Sequence, residues 1–217
     1  MIKAEHKKWA ELIFNPYISH LLHKDFNGLY VTGPLPDLEK YPGLIITPNH
    51  FSWWDGFITY YLIKKISRRR KIYTMMLEDQ LKRYWFFKKV GAYSINQSNS
   101  VSIARTLNYT GDVLNDDKNI VVLYPQGEIQ PLNSEDVIIK PGLKLILGKN
   151  SGGRYVLPLA LKIEYGNNRK PDIAAGFGRL FTADEIISNY DAFIDEFKLN
   201  INLLKANSDF DKCRNLF

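Results

Sequence analysis

The sequence predicts an α/β domain in which a single mixed, largely parallel sheet is flanked by helices, and three observations predict it. Two apolar runs, Leu44-Ile45-Ile46-Thr47 and Asn119-Ile120-Val121-Val122-Leu123-Tyr124, read as buried strands. Segments with apolar residues at three- and four-residue steps separate such runs, so strands alternate with helices for most of the length. The 217 residues suffice for one substantial core, and no linker composition interrupts them, so a single domain over 1–217 is expected.

Residues 7–24 set Trp9, Leu12, Ile13, Phe14, Tyr17, Ile18, Leu21 and Leu22 among Lys7, Lys8, His20, His23 and Lys24. This is an amphipathic helix pattern, which Asn15-Pro16 should break or kink. It suits a helix packed on the domain body and, equally, a membrane-associating segment within 1–30, with Trp9 and Phe14 at headgroup level. Residues 43–47 form a strand and Trp53 to Lys65 a helix. The basic run Lys64 to Lys71 follows, either a solvated connection or a dock for anionic headgroups. Lys71 to Met76 is a strand, Glu78 to Lys89 a basic, aromatic helix, and Ala92 to Ile95 a strand opened by Gly91. Ser100 caps a helix whose apolar face is Val101, Ala104, Leu107 and Leu114.

After the strand at 119–124, Pro125-Gln126-Gly127-Glu128-Ile129-Gln130-Pro131 makes a tight turn with exposed backbone. Lys140-Pro141-Gly142 opens a helix over Leu143 to Leu147. Arg154 to Ile163 is a strand whose Pro158 predicts an edge or a bulge, and Ile173 to Phe177 is another. Thr182-Ala183-Asp184-Glu185 is a capping box for one helix carrying Ile186, Ile187, Tyr190, Phe193, Ile194 and Phe197 on one face.

The formal charge of +6 favours an anionic partner, and 13 Tyr, 12 Phe and 4 Trp beside that charge suit a lipid interface. No apolar run approaches the roughly 18 residues that span a bilayer. The first residues do not read as a signal peptide, because Lys3, Glu5, Lys7, Lys8 and Glu11 surround their apolar patch. The expectation is a cytoplasmic protein peripherally associated with the inner face of the membrane. Cys213 is the single cysteine, which excludes an internal disulfide and a cysteine-based metal cluster. No motif that reads RNA or DNA accompanies the basic run, so a nucleic-acid partner is not expected.

The candidate chemistry lies in Pro48-Asn49-His50-Phe51-Ser52-Trp53-Trp54-Asp55, where a strand ends. Open α/β sheets place their sites there. His50 can exchange a proton near neutral pH, and Asp55 can orient its imidazole. On a straight helix positions five apart diverge by about 140°. The pair therefore meets only if the chain turns after His50 and enters a helix near Trp53. Pro48, Asn49 and Ser52, a candidate N-cap, fit that turn.

Four features then occur in order: His50 with Asp55; Gly91-Ala92-Tyr93-Ser94-Ile95-Asn96; Tyr124-Pro125-Gln126-Gly127-Glu128; and Val156-Leu157-Pro158-Leu159-Ala160. This order resembles the glycerol-phosphate and lysophospholipid acyltransferase family, with its N-H-x-x-x-x-D, G-x-[IF]-x-x-x-R, F-P-E-G-T-R and V-P-[VL]-A blocks. Lys140-x-Gly142 is similar to that family's K-x-G step. The resemblance spans roughly half the chain, Leu44 to Ala160. It implies an acyltransferase-like fold and transfer of a fatty acyl group from a thioester to a lipid hydroxyl. By that resemblance His50 is the general base and Asp55 its partner, with the acceptor alcohol in the place a serine takes in a catalytic triad. It implies an acyl carrier protein or coenzyme A thioester as co-substrate, no resident cofactor and no metal. Asn49, Gln97, Gln126, Gly127, Glu128, Lys140 and Arg154 are the candidate substrate-binding residues, the Gly127 backbone facing an oxyanion or a phosphate.

Two departures bear on the acceptor. Gln126 stands where the family has glutamate, with Glu128-Ile129 in place of Thr-Arg, and Gln97 replaces the second block's arginine. Losing two cations that grip phosphate predicts a neutral or differently charged lipid alcohol, such as a glycolipid. Lys140 and Arg154 keep a phosphate acceptor, and with it a lysophosphatidate acyltransferase with altered phosphate contacts, as the second reading. A non-catalytic lipid- or membrane-binding protein, a basic surface adaptor and a hydrolase delivering the acyl group to water are the remaining alternatives.

Overall fold

The computed structural model describes every residue except Glu135, Asn150, Ser151, Ser208, Asp211 and Lys212, and the side chain of Lys149. In chain order the elements are α1 (Lys8–Asp25), β1 (Leu29–Thr32), β2 (Leu44–Pro48), α2 (Asp55–Ile66), β3 (Lys71–Leu77), α3 (Glu78–Arg83), β4 (Ala92–Ile95), α4 (Ser100–Val113) and β5 (Asn119–Val122). They continue as α5 (Gly142–Lys149), β6 (Tyr155–Glu164), β7 (Asp172–Phe177), β8 (Phe181–Thr182), α6 (Ala183–Ser188), α7 (Tyr190–Ala206) and β9 (Arg214–Asn215). The strands form one sheet in the order β4-β3-β5-β2-β6-β7-β1-β9, with β8 added on β6. From β4 to β6 the neighbours are parallel. β7 runs against β6 and parallel to β1. The sheet is thus mixed, largely parallel and covered by helices, as expected.

Alternation along the strands builds two cores. Leu44 and Ile46 of β2 face the layer of α1 and α2, beside Phe14, Ile18, Ile58 and Leu62. Ile45 faces the opposite layer with Leu107, Leu143, Ile186, Phe193 and Phe197 from α4 to α7. A strand sandwiched in this way needs apolar residues on both faces, which is why it reads as a continuous apolar run.

Three expectations are corrected and a fourth is narrowed. Pro16 does not break α1, which runs unbroken through it; Leu12, whose carbonyl loses its usual donor, is exposed at 76%. The segment 78–89 is α3 followed by a 3-10 helix over Trp85–Val90 that ends on Gly91 at φ 109°. The C-terminal pattern is two helices, because the Asn189 side chain accepts from the Ala192 N–H and caps a new start. Pro158 does not lie on an edge strand, since β6 sits between β2 and β7; it lies where the register of β6 against the chain of β7 and β8 shifts by one residue, the bulge-like alternative. Its carbonyl accepts from Gly178 N–H on the side where β6 changes partner from β8 to β7, so its missing donor falls in a gap of the ladder.

Part of the basic run is internal. Arg70 is buried, and its guanidinium donates to the carbonyls of Leu38, Tyr41, Asp117 and Asn119. One cation there gathers the loops that precede β2 and β5.

Candidate active site

β2 ends at Pro48, and Asn49 and His50 carry the chain onto the carboxyl edge of the sheet. Side-chain amides continue the ladder there. Asn49 accepts the Leu161 N–H at 2.6 Å and donates to the Leu161 carbonyl at 3.0 Å. Gln126 treats His50 alike: its Oε1 accepts the His50 N–H at 2.5 Å and its Nε2 donates to the His50 carbonyl at 3.3 Å. The Gln130 N–H reaches that carbonyl too, at 2.9 Å.

The chain then turns. Ser52 Oγ accepts the Trp54 N–H, and α2 begins at Asp55. The Asp55 carboxylate is fully buried. Its Oδ2 lies 2.9 Å from His50 Nδ1 and accepts the N–H groups of Phe51 and Ser52 at 2.7 and 2.8 Å, while Oδ1 accepts the Ser52 hydroxyl at 2.7 Å. The cap position of α2 is Trp54 and not Ser52, with no side-chain cap on the helix; Asp55, in the first turn where a negative charge is favoured, takes the main-chain donors of the preceding turn. With Nδ1 directed at a carboxylate, the imidazole proton sits on Nδ1 and Nε2 keeps a lone pair. The His50 side chain is about a quarter exposed.

The imidazole opens into a groove of about 650 Å³. Phe14, Phe57, Tyr60, Phe87, Val90 and Ala92 line part of it, and Ile103, Leu123, Leu143 and Leu145 another part. The Tyr124 ring packs against the imidazole at 4.6 Å between centroids. Burial, with the Asp55 charge adding to it, pushes the Tyr124 phenol well above its ordinary range, so it stays neutral. Spacing alone gave no sign of Tyr124; its place at the head of the Pro-Gln-Gly turn was the only signal.

The other expected residues divide into two groups. Gln97, Gly127 and Lys140 line the groove with His50. Gln97 Nε2 donates to the Gly127 carbonyl at 3.3 Å, and Lys140 Nζ lies 3.6 Å from an exposed Glu128 carboxylate. Gly127 holds φ 70°, and a Cβ there would meet Lys140 Cδ at 2.8 Å, so glycine lets the lysine stem cross the turn. Its own N–H donates to the Tyr124 carbonyl, so that one donor of the turn is engaged within the chain. Asn49 and Gln126 are buried and committed to the main chain of Leu161 and His50, so neither is a substrate ligand. Arg154 is buried at the amino end of β6, the far end from His50, where it donates to the Gly111 carbonyl and Asn115. Its distance from the groove removes it from the site. Among the described residues no group of three His, Cys, Asp or Glu side chains gathers as a metal site.

Comparison with known proteins adds a family and a fold. A family model described as Acyltransferase matches residues 32–162. No curated protein sequence matches the chain. Among solved structures, the chain is similar to the crystal structure of the 1-acyl-sn-glycerophosphate (LPA) acyltransferase PlsC from Thermotoga maritima. The TM-score is 0.65 at 13% identity, covering 91% of this chain and 80% of that one. At that identity the likeness is one of fold.

Proposed function

Because this chain belongs to the acyltransferase family, we propose that it moves a fatty acyl group from a thioester to a hydroxyl of a lipid or glycolipid acceptor, with His50 as general base and Asp55 as its orienting partner. The observation that carries this reading is the His50 Nδ1–Asp55 Oδ2 contact of 2.9 Å at the wall of an apolar groove. The acceptor O–H gives its proton to His50 Nε2 as its oxygen attacks the thioester carbonyl. Collapse of the tetrahedral intermediate breaks the C–S bond, and the thiolate of the acyl carrier protein or coenzyme A takes the proton back from the imidazolium. Asp55 stabilises that transient cation. The groove withdraws the acyl chain from water, at about 0.8 kcal/mol per methylene.

The acceptor is a neutral or differently charged alcohol rather than glycerol phosphate. Lys140 is the one Lys or Arg among the described groove-lining residues, Glu128 stands beside it, and Arg154 is engaged elsewhere. Lys140 also supports the second reading, an acceptor phosphate held by altered contacts.

Membrane association is peripheral in this reading, from the cytoplasmic side of the inner face. No helix among the described residues is long and apolar enough to cross a bilayer. Trp9, Leu12, Ile13 and Tyr17 of α1 are exposed together with Trp53 and Trp85, which favours an interface.

A labelled acyl thioester offered with a panel of lipid alcohols tests the whole. Transfer to neutral alcohols above lysophosphatidate is expected. Preferred turnover of lysophosphatidate overturns the acceptor assignment, and release of free fatty acid alone overturns the alcohol as acceptor.

A further inference from the structure

We propose that Gln126 is a positioning residue for this reaction: its side-chain amide clamps the main chain of His50 and sets where the imidazole stands over the groove. The inference rests on His50 being the base.

Beyond β2 no described strand supplies partners for His50, whose carbonyl also accepts the Gln130 N–H from the turn after β5. Gln126 Oε1 takes its N–H at 2.5 Å and Nε2 reaches its carbonyl at 3.3 Å. A primary amide carries the same donor and acceptor pair as a peptide group, so the side chain acts as one more rung of the ladder. The amide is buried, where an unmet partner is costly. Asn49 closes the same ring on Leu161, so two successive residues at the end of β2, one through its own side chain and one through its main chain, are fixed by amides. The next ionisable group, Asp55, holds His50 from the other side through Nδ1. Rotation of the imidazole is thereby restricted both at its main chain and at its ring.

The amide sets this chain apart from the family pattern, whose third block has glutamate at this place. A glutamate could accept the His50 N–H but has no proton to give the His50 carbonyl, and two oxygens would face each other. It would also place a negative charge behind the ring. Asp55 of α2 and Tyr124 of the turn after β5 face the imidazole, and Tyr60, Tyr84 and Lys140, with Glu128 beside the lysine, belong to the same groove. An added charge on this set favours the protonated imidazole, so the base form appears only at higher pH.

Gln126→Glu and the near-isosteric Gln126→Met test this, with steady-state kinetics across pH and with NMR of the His50 amide and ring. For Gln126→Glu the acid limb of the kcat profile should move to higher pH, together with the His50 ring resonance. For Gln126→Met, kcat should fall about 10- to 100-fold with the acceptor KM within about twofold, and the His50 amide should lose protection from exchange. A rise in acceptor KM at unchanged kcat would make Gln126 a substrate ligand and overturn the proposal. Unchanged His50 resonances in both variants would overturn it as well. Failure of both variants to fold at neutral pH would also count against it, because a clamp on one residue does not carry the domain. The NMR readout does not depend on acyl transfer. A clamp lost without any kinetic effect would therefore point to a base other than His50.

Discussion

Asp55 Oδ2 accepts from three places at once: the ring of His50 at 2.9 Å and the main-chain N–H groups of Phe51 and Ser52. The carboxylate that orients the imidazole is therefore also the group that folds the turn bringing it there. Asp55→Asn keeps an oxygen for these donors, and the Ser52 hydroxyl can reverse to accept from the new NH₂. The negative charge alone is lost. We expect kcat to fall about 10²- to 10⁴-fold, and His50→Ala to fall at least as far. Circular dichroism should stay native for both. Full activity in His50→Ala would remove the base assignment.

Gly56 offers a way to fill the groove without touching this pair. It lines the groove in the first turn of α2, and an added Cβ meets nothing within 4 Å. Gly56→Leu should improve helix propensity by about 0.5–1 kcal/mol and raise Tm by about 1–4 °C. Turnover of long-chain thioesters should drop tenfold or more, as estimated from one bulky side chain in an apolar site, while two- to four-carbon thioesters react as before. Equal loss for all lengths would mean that the chain does not occupy this part of the groove.

The exposed face of α1 predicts vesicle binding. Trp9, Leu12 and Ile13 are each at least half exposed, and replacing all three by serine should leave Tm nearly unchanged. Sedimentation with anionic phospholipid vesicles should fall more than tenfold, since these side chains carry several kcal/mol of apolar area by about 25 cal/mol per Å². Undiminished sedimentation would shift the docking face elsewhere.

Gly91 offers a test of stability. It holds φ 109°, and a Cβ would approach the Ile72 carbonyl oxygen to 2.0 Å and the His6 ring to 2.5 Å. Backbone strain and overpacking together should cost Gly91→Ala about 3 kcal/mol or more, lowering Tm by about 6–12 °C. A melt within about 2 °C of wild type, less than 1 kcal/mol by the same relation, would contradict this.

Much of the fold was legible because its strands are buried on both sides: Leu44-Ile45-Ile46 and Ile120-Val121-Val122 each feed both cores, so their apolar runs had no other use. The His50–Asp55 turn was legible from spacing plus the residues that make turns. Three things were not. β1 and β9 are short, and their pairing depends on chain distant in sequence. Arg70 sits in a basic run that looks solvated, and only the tertiary fold shows four carbonyls converging on it. Asn49, Gln126 and Arg154 were read as ligands because their polar ends suit substrate. The same hydrogen-bonding capacity serves main chain, and sequence does not say which partner is nearer.

The groove shares Trp53, Tyr84 and Leu77 with the protein surface. Through Phe57, Phe86 and Phe87 the rings of Trp53 and Tyr84 join Trp9, Phe14 and Trp85 in one aromatic girdle. Under the proposed reading, a leaflet against that girdle would take up the newly made ester directly from the groove mouth, without passage of its tail through water.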